Sequence, residues 1–167
     1  MTTYPTPASG HLHMSPEGRQ LIIERIFRAP IEDVWASLTE PDRVARWYGI
    51  IEGDPLPGHT IMVTMTAEEG ATAEPVLIIE CDSPNRFVLE TAGMGEPWRL
   101  QVELAENNGV TTMTFTHHLT DDLDATDIGP GWEFYADRHH AALNDNAMPD
   151  WTADRYQELL GPRYGPS

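Results

Sequence analysis

The sequence predicts an α+β fold in which one antiparallel sheet packs against a long C-terminal helix. Three observations predict it: a two-residue apolar period through the middle of the chain, connections there too short for crossover helices, and a helical period after residue 130. In chain order, HLHM and RQLIIERIF, separated by the turn signal SPEG at residues 15–18, read as a hairpin. Pro30 opens a short helix, PIEDVWASL, because its fixed φ suits a first turn, and Val34, Trp35 and Leu38 share one face. Thr39 and Asp42 stand at capping-box spacing and predict a second short helix, EPDRVARWYG, set at a corner to the first. HTIMVTM, EPVLIIECD, RFVLET, WRLQVEL and VTTMTFTHHL then form five strands of a meander joined by GATA, SPN, GMGEP and AENNG. Trp98, Leu100, Val102 and Leu104 point to the core while Arg99, Gln101 and Glu103 point away; Met113, Phe115 and His117 are inward while Thr112, Thr114, Thr116 and His118 face water. The acidic run DDLDATD reads as a solvated loop, and GPG leads into a helix expected from about Pro130 to Asn146 or Met148, before Pro149.

Composition bounds the function. The chain of 167 residues suits one domain: a mobile tail at residues 1–9, the α+β domain at 10–148, and a C-terminal tail at 149–167 that docks through Trp151 and Tyr156. Ten basic residues against 27 acidic ones leave a net charge of −17, which repels phosphate backbones and predicts no nucleic-acid partner. All ten are arginine, which excludes Schiff-base chemistry and a Walker-loop lysine. The single cysteine, Cys81, forbids an internal disulfide and reads as a small buried hydrophobe. No apolar run reaches spanning length, so no membrane insertion is expected, and the polar start MTTYPTPASG predicts a cytoplasmic protein.

IERIFRAPIEDVWASLTEPDRVARWYG, ECDSPNRFVLET, VELAENNGVTTMTF and GPGWEFYADRHHAALN, in that order, resemble successive landmarks of the activator-of-heat-shock-protein-90-ATPase-like branch of the START and Bet v 1-like superfamily, from about residue 19 to residue 146. The resemblance implies a helix-grip fold: a curved sheet wrapped around the C-terminal helix, with a cavity between them that commonly holds an apolar small molecule. It also implies roles as different as lipid transfer, polyketide cyclisation and co-chaperone work, so the function has to be argued from the site.

Few constellations of reactive residues carry chemistry. There are seven histidines, with His11 and His13 on one strand face and His117 and His139 able to point inward, but no carboxylate stands at a familiar ligand spacing, and neither a metal nor a cofactor is expected. No serine sits in a G-x-S-x-G turn, and residues 121–127 lack the glycine and terminal glutamate of a calcium loop. The terminal helix is more informative. Helical spacing puts Trp132, Tyr135, Ala136, His139 and Leu143 along one stripe, with Glu133, Asp137 and His140 turned to solvent or the flank. Where the resemblance implies leucine at two successive places on that stripe, this chain has Ala136 and His139, so space and a hydrogen-bonding group coincide. The expected function is binding of a small, largely apolar ligand without covalent chemistry. Its expected lining is Trp47 at the mouth, Met65, Trp98, Leu100 and Val102 from the sheet, Phe115 and His117 from the last strand, and Trp132, Tyr135, Ala136 and His139 from the helix. Two alternatives stay open: a cyclase- or aromatase-like enzyme with His139 or His117 as general base, and a co-chaperone-like interaction module. A homodimer and a chaperone partner stay open as well.

Overall fold

The computed structural model describes residues 10–91 and 97–165; the expected tail at 1–9 and most of the GMGEP connection lie outside them. The N-terminal hairpin pairs β1 (Gly10–Ser15) with β2 (Gly18–Phe27), and Ser15 Oγ donates to the Gly18 carbonyl at 2.9 Å across the turn. Along β2, Leu21, Ile23, Arg25 and Phe27 are buried while Glu24 and Ile26 face out. Pro30 is the residue before α1 (Ile31–Thr39) rather than its first member. The expected capping box does not form. Thr39 ends α1 and its hydroxyl donates to the Trp35 carbonyl at 2.8 Å, so α2 (Pro41–Val44) begins on Pro41 and lasts only four residues. Tighter three-residue bonds follow, from Arg46 N to the Arg43 carbonyl and from Trp47 N to the Val44 carbonyl, and they turn the chain into β3.

Strand β3 (Ile50–Glu52) was not expected, because three residues are too few to show a period. With β4 (Thr60–Thr64), β5 (Glu74–Asp82), β6 (Arg86–Thr91), β7 (Trp98–Asn107) and β8 (Val110–Leu119) it completes an eight-stranded antiparallel sheet in the order β1-β2-β8-β7-β6-β5-β4-β3. The first hairpin therefore joins the last strand of the meander, with register from Arg19↔Leu119 to Phe27↔Thr111. Asn108 and Gly109 both take positive φ, 53° and 80°, as the two-residue turn between β7 and β8 requires. A bulge between Ile78 and Glu80 shifts the alternation of β5, so that Val76, Ile78 and Cys81 all face inward and Glu80 stays out. On the outer face Thr116 is buried, contrary to expectation, because Ile22 and Gln101 on the neighbouring strands flank and cover it.

Helix α3 (Ala125–Leu143) crosses the concave face. It starts before Pro130 because Asp124 caps it, accepting from Thr126 N at 2.9 Å; the end of the acidic run is helix, not loop. Pro130 sits in the second turn, where its missing N–H removes one helical bond. The helix stops at Leu143, short of Asn146, as Asp145 turns to φ 52°.

Of the two settings expected for Glu133 and Asp137, solvent or the flank of α3, the structure shows a buried flank. Glu133 and Asp137 are both 0 % exposed. Asp137 Oδ1 accepts from Arg25 Nη1 at 2.9 Å, and its Oδ2 accepts from Tyr156 Oη at 2.7 Å and Arg155 Nη2 at 3.1 Å. Glu133 Oε1 lies 3.6 Å from Arg25 Nη2. The cover comes from the C-terminal segment, which folds as a π-helical turn (Asp154–Leu159) and a 3₁₀ turn (Gly161–Tyr164) against α3. Periodicity reports one apolar stripe; it does not reveal a second face buried by charges that find partners. His140 is half-buried, 5.4 Å from the Phe27 ring. Trp151 stacks on Tyr156 at 4.9 Å with its outer side exposed.

Candidate functional site

A cavity of about 180 Å³ lies between the sheet and α3. Its sheet wall is made by Ile23, Ile61, Val76, Ile78, Leu100, Val102 and Phe115, all directed inward by strand alternation. Trp132, Tyr135, Ala136 and His139 supply the helix wall, and Leu38, Val44, Trp47 and Tyr48 close the side where α1 and α2 cross. Among the described residues none that lines it is charged. A wider groove of about 930 Å³ adjoins it and shares Tyr48, Val63, Trp132 and Tyr135; the rings of Tyr48 and Tyr135, 5.1 Å apart, stand at the junction.

Of the residues expected from sequence, Trp47, Leu100, Val102, Phe115, Trp132, Tyr135, Ala136 and His139 meet in the cavity, while Met65 and Trp98 line the adjoining groove. His117 borders neither. It is fully buried beneath Trp98, whose ring centre is 4.7 Å away, and its Nδ1 accepts from Trp132 Nε1 at 3.1 Å. That bond orients the Trp132 indole along the cavity wall.

His139 is held just as firmly. Its Nε2 is 2.8 Å from Ser37 Oγ on α1, and its ring packs against Trp47 at 4.7 Å and Phe27 at 5.0 Å. Trp47 is itself placed by two bonds: its Nε1 donates to the Ser37 carbonyl at 2.8 Å and its own carbonyl accepts from Arg138 Nε at 2.8 Å. Burial lowers the His139 pKa to about 3, assisted by His140 and Arg25, and burial likewise lowers that of His117 to about 4, so both rings are neutral near pH 7. Burial and then Glu68 push the Tyr135 hydroxyl up to about 12. The chemistry available is hydrogen bonding by neutral groups in an apolar enclosure.

Ser37 and Tyr48 were missed. Ser37 had a signal: it falls on the Val34–Leu38 stripe of α1, where a hydroxyl must be buried and must find a partner. Tyr48 had none, since its inward direction depends on the early end of α2. Among the described residues, no three His, Cys, Asp or Glu side chains converge at metal-binding distance, and no helix is long and apolar enough to cross a membrane.

This architecture, an eight-stranded curved antiparallel sheet gripping one long helix, is a helix-grip fold. The chain belongs to the family described as "Activator of Hsp90 ATPase homolog 1-like protein", whose model matches residues 28–144. The crystal structure of CalU16 from Micromonospora echinospora superposes with a TM-score of 0.73 at 22% identity, over 95% of this chain and 94% of that one. The solution structure of the protein encoded by gene BPP1335 of Bordetella parapertussis gives 0.74 at 24% identity, over 97% and 95%. DynU16, from the dynemicin biosynthetic locus, gives 0.69 at 18% identity, over 79% of this chain and 49% of that one. At these identities the likeness is one of fold. No curated protein matches the chain in sequence. The family is one of small-molecule binding or chaperone interaction in general.

Proposed function

We propose that this protein binds a small, largely apolar molecule in the cavity between the sheet and α3. The observation that carries the reading is an uncharged, apolar cavity between sheet and helix, with Ala136 in its wall where a larger side chain would fill it. Close packing is the rule in protein interiors, and an empty apolar cavity of about 150 Å³ is already large enough to take up benzene. At about 180 Å³ this one suits a single-ring body, and the adjoining groove offers room for a longer one.

General-base catalysis has less support. A ring whose pKa is held near 3 by burial, as at His139, is a weak proton acceptor at neutral pH, and His117 spends its Nδ1 lone pair on Trp132.

The test is native mass spectrometry of protein purified without detergent, followed by solvent extraction. One apolar small molecule at close to one per chain is the expected result, with its loss in an Ala136→Trp variant that fills the cavity. Uniformly ligand-free protein whose melting temperature does not respond to toluene or p-xylene would overturn the reading.

A further inference from the structure

Ser37 decides which nitrogen of His139 carries the proton. Its hydroxyl has a single hydrogen, and the 2.6 Å contact with the Val34 carbonyl, which can only accept, uses it. The 2.8 Å contact between Ser37 Oγ and His139 Nε2 therefore runs the other way: Nε2–H donates and Oγ accepts. A neutral imidazole has one N–H, so His139 Nδ1 is left as a bare lone pair. The residue is 1 % exposed and its ring forms part of the cavity wall. Among the described residues Nδ1 has no hydrogen-bond partner.

The two indole donors of the cavity wall are committed elsewhere, and the Tyr135 hydroxyl, also without a partner among the described residues, does not reach it. Trp47 Nε1 donates to the Ser37 carbonyl and Trp132 Nε1 to His117. Leaving a buried acceptor unmatched is costly, so a molecule entering the cavity gains by supplying the missing donor. Charge is disfavoured on both sides. A carboxylate would meet a lone pair and no cation, and an ammonium would meet no anion, because none of the described lining residues is charged.

We propose that the molecule held in this cavity is a neutral compound whose apolar body carries a hydroxyl or N–H group, and that this group donates to His139 Nδ1 while Ala136 leaves the room for it. The proposal rests on the reading of the cavity as a small-molecule site and adds the polarity of the ligand. Ser37 is then a positioning residue that sets the tautomer.

Calorimetric titration with three probes of similar shape separates the two levels: p-cresol, p-xylene, and 4-methylanisole, which keeps the cresol oxygen but loses its proton. One unquenched hydrogen bond should make p-cresol bind about tenfold tighter than either of the others. In His139→Leu the three affinities should converge, and a cooperative melting transition reports that the variant is folded. Equal affinities in the wild-type protein would overturn the donor assignment and leave the cavity reading standing; binding of none of the three would overturn both. Long-range nitrogen–proton spectra of the free protein should show His139 protonated on Nε2, and a proton on Nδ1 would overturn the assignment. A Ser37→Ala variant should lose part of the preference for p-cresol, and full retention would remove Ser37 from the argument.

Discussion

The two buried faces of α3 differ in what they do with polar groups. On the side turned to the C-terminal segment, Glu133 and Asp137 meet Arg25, Arg155 and Tyr156, so that charge faces opposite charge across three parts of the chain. On the side turned to the sheet, Ala136 leaves space and His139 keeps one nitrogen without a partner among the described residues. The first arrangement fastens the C-terminal segment. Tyr164 completes it by lying on Gly129, where a Cβ would come within 2.2 Å of its ring. The second side gives up packing and a hydrogen bond within one stripe, and stability lost in one place is the usual mark of a site held for another molecule. Burial of a polar group therefore does not by itself mark function.

Breaking the ionic face should have the largest effect. Asp137→Ala removes the buried carboxylate that Arg25, Arg155 and Tyr156 share, and the expected loss is ~3–5 kcal/mol in urea unfolding, with release of the C-terminal segment to proteolysis. A loss within the range of a surface substitution would mean that water reaches the arginines and that this face is less dry than its burial indicates.

Filling the other face should move stability the opposite way. Ala136→Leu with His139→Leu adds apolar bulk to the cavity, and the expected outcome is a gain of about 1–2 kcal/mol together with loss of p-xylene binding. A lower melting temperature with binding unchanged would show that the neighbouring side chains already occupy the recess.

The smallest effect is in the pH dependence. His139 keeps a pKa of about 3 when folded against 6.5 as an exposed group, so below pH 6.5 the unfolded chain takes up a proton that the folded chain refuses. The contribution is thus complete above pH 6.5 and is lost progressively as the pH falls toward 3. His139→Leu should unfold with a shallower acid slope than the wild-type protein in urea midpoints taken across that range. An unchanged slope would place the proton uptake elsewhere, with His117, held at about 4, as the next group to replace.

Much of this molecule is legible from local pattern. The inward faces of β7 and β8, the hairpin turn at residues 15–18, the corner after α1 and the stripe from Trp132 to His139 all follow from which residues recur every two or every three to four positions. Those signals are local, because strand pleat and helix pitch repeat within a few residues. The sequence determined, on that basis, an antiparallel sheet, a helix across it and a gap in the helix's apolar stripe. Tertiary structure alone decided what surrounds the gap. Ser37 meets His139 across 102 residues and Arg25 meets Asp137 across 112, and no periodicity reports a partner so distant. The same holds for Glu133 and Asp137, which read as turned to solvent or the flank until the C-terminal segment covers them. A carboxylate looks alike in sequence whether water or an arginine neutralises it; only the folded chain, by bringing Arg25, Arg155 and Tyr156 together, makes burial cheaper than hydration.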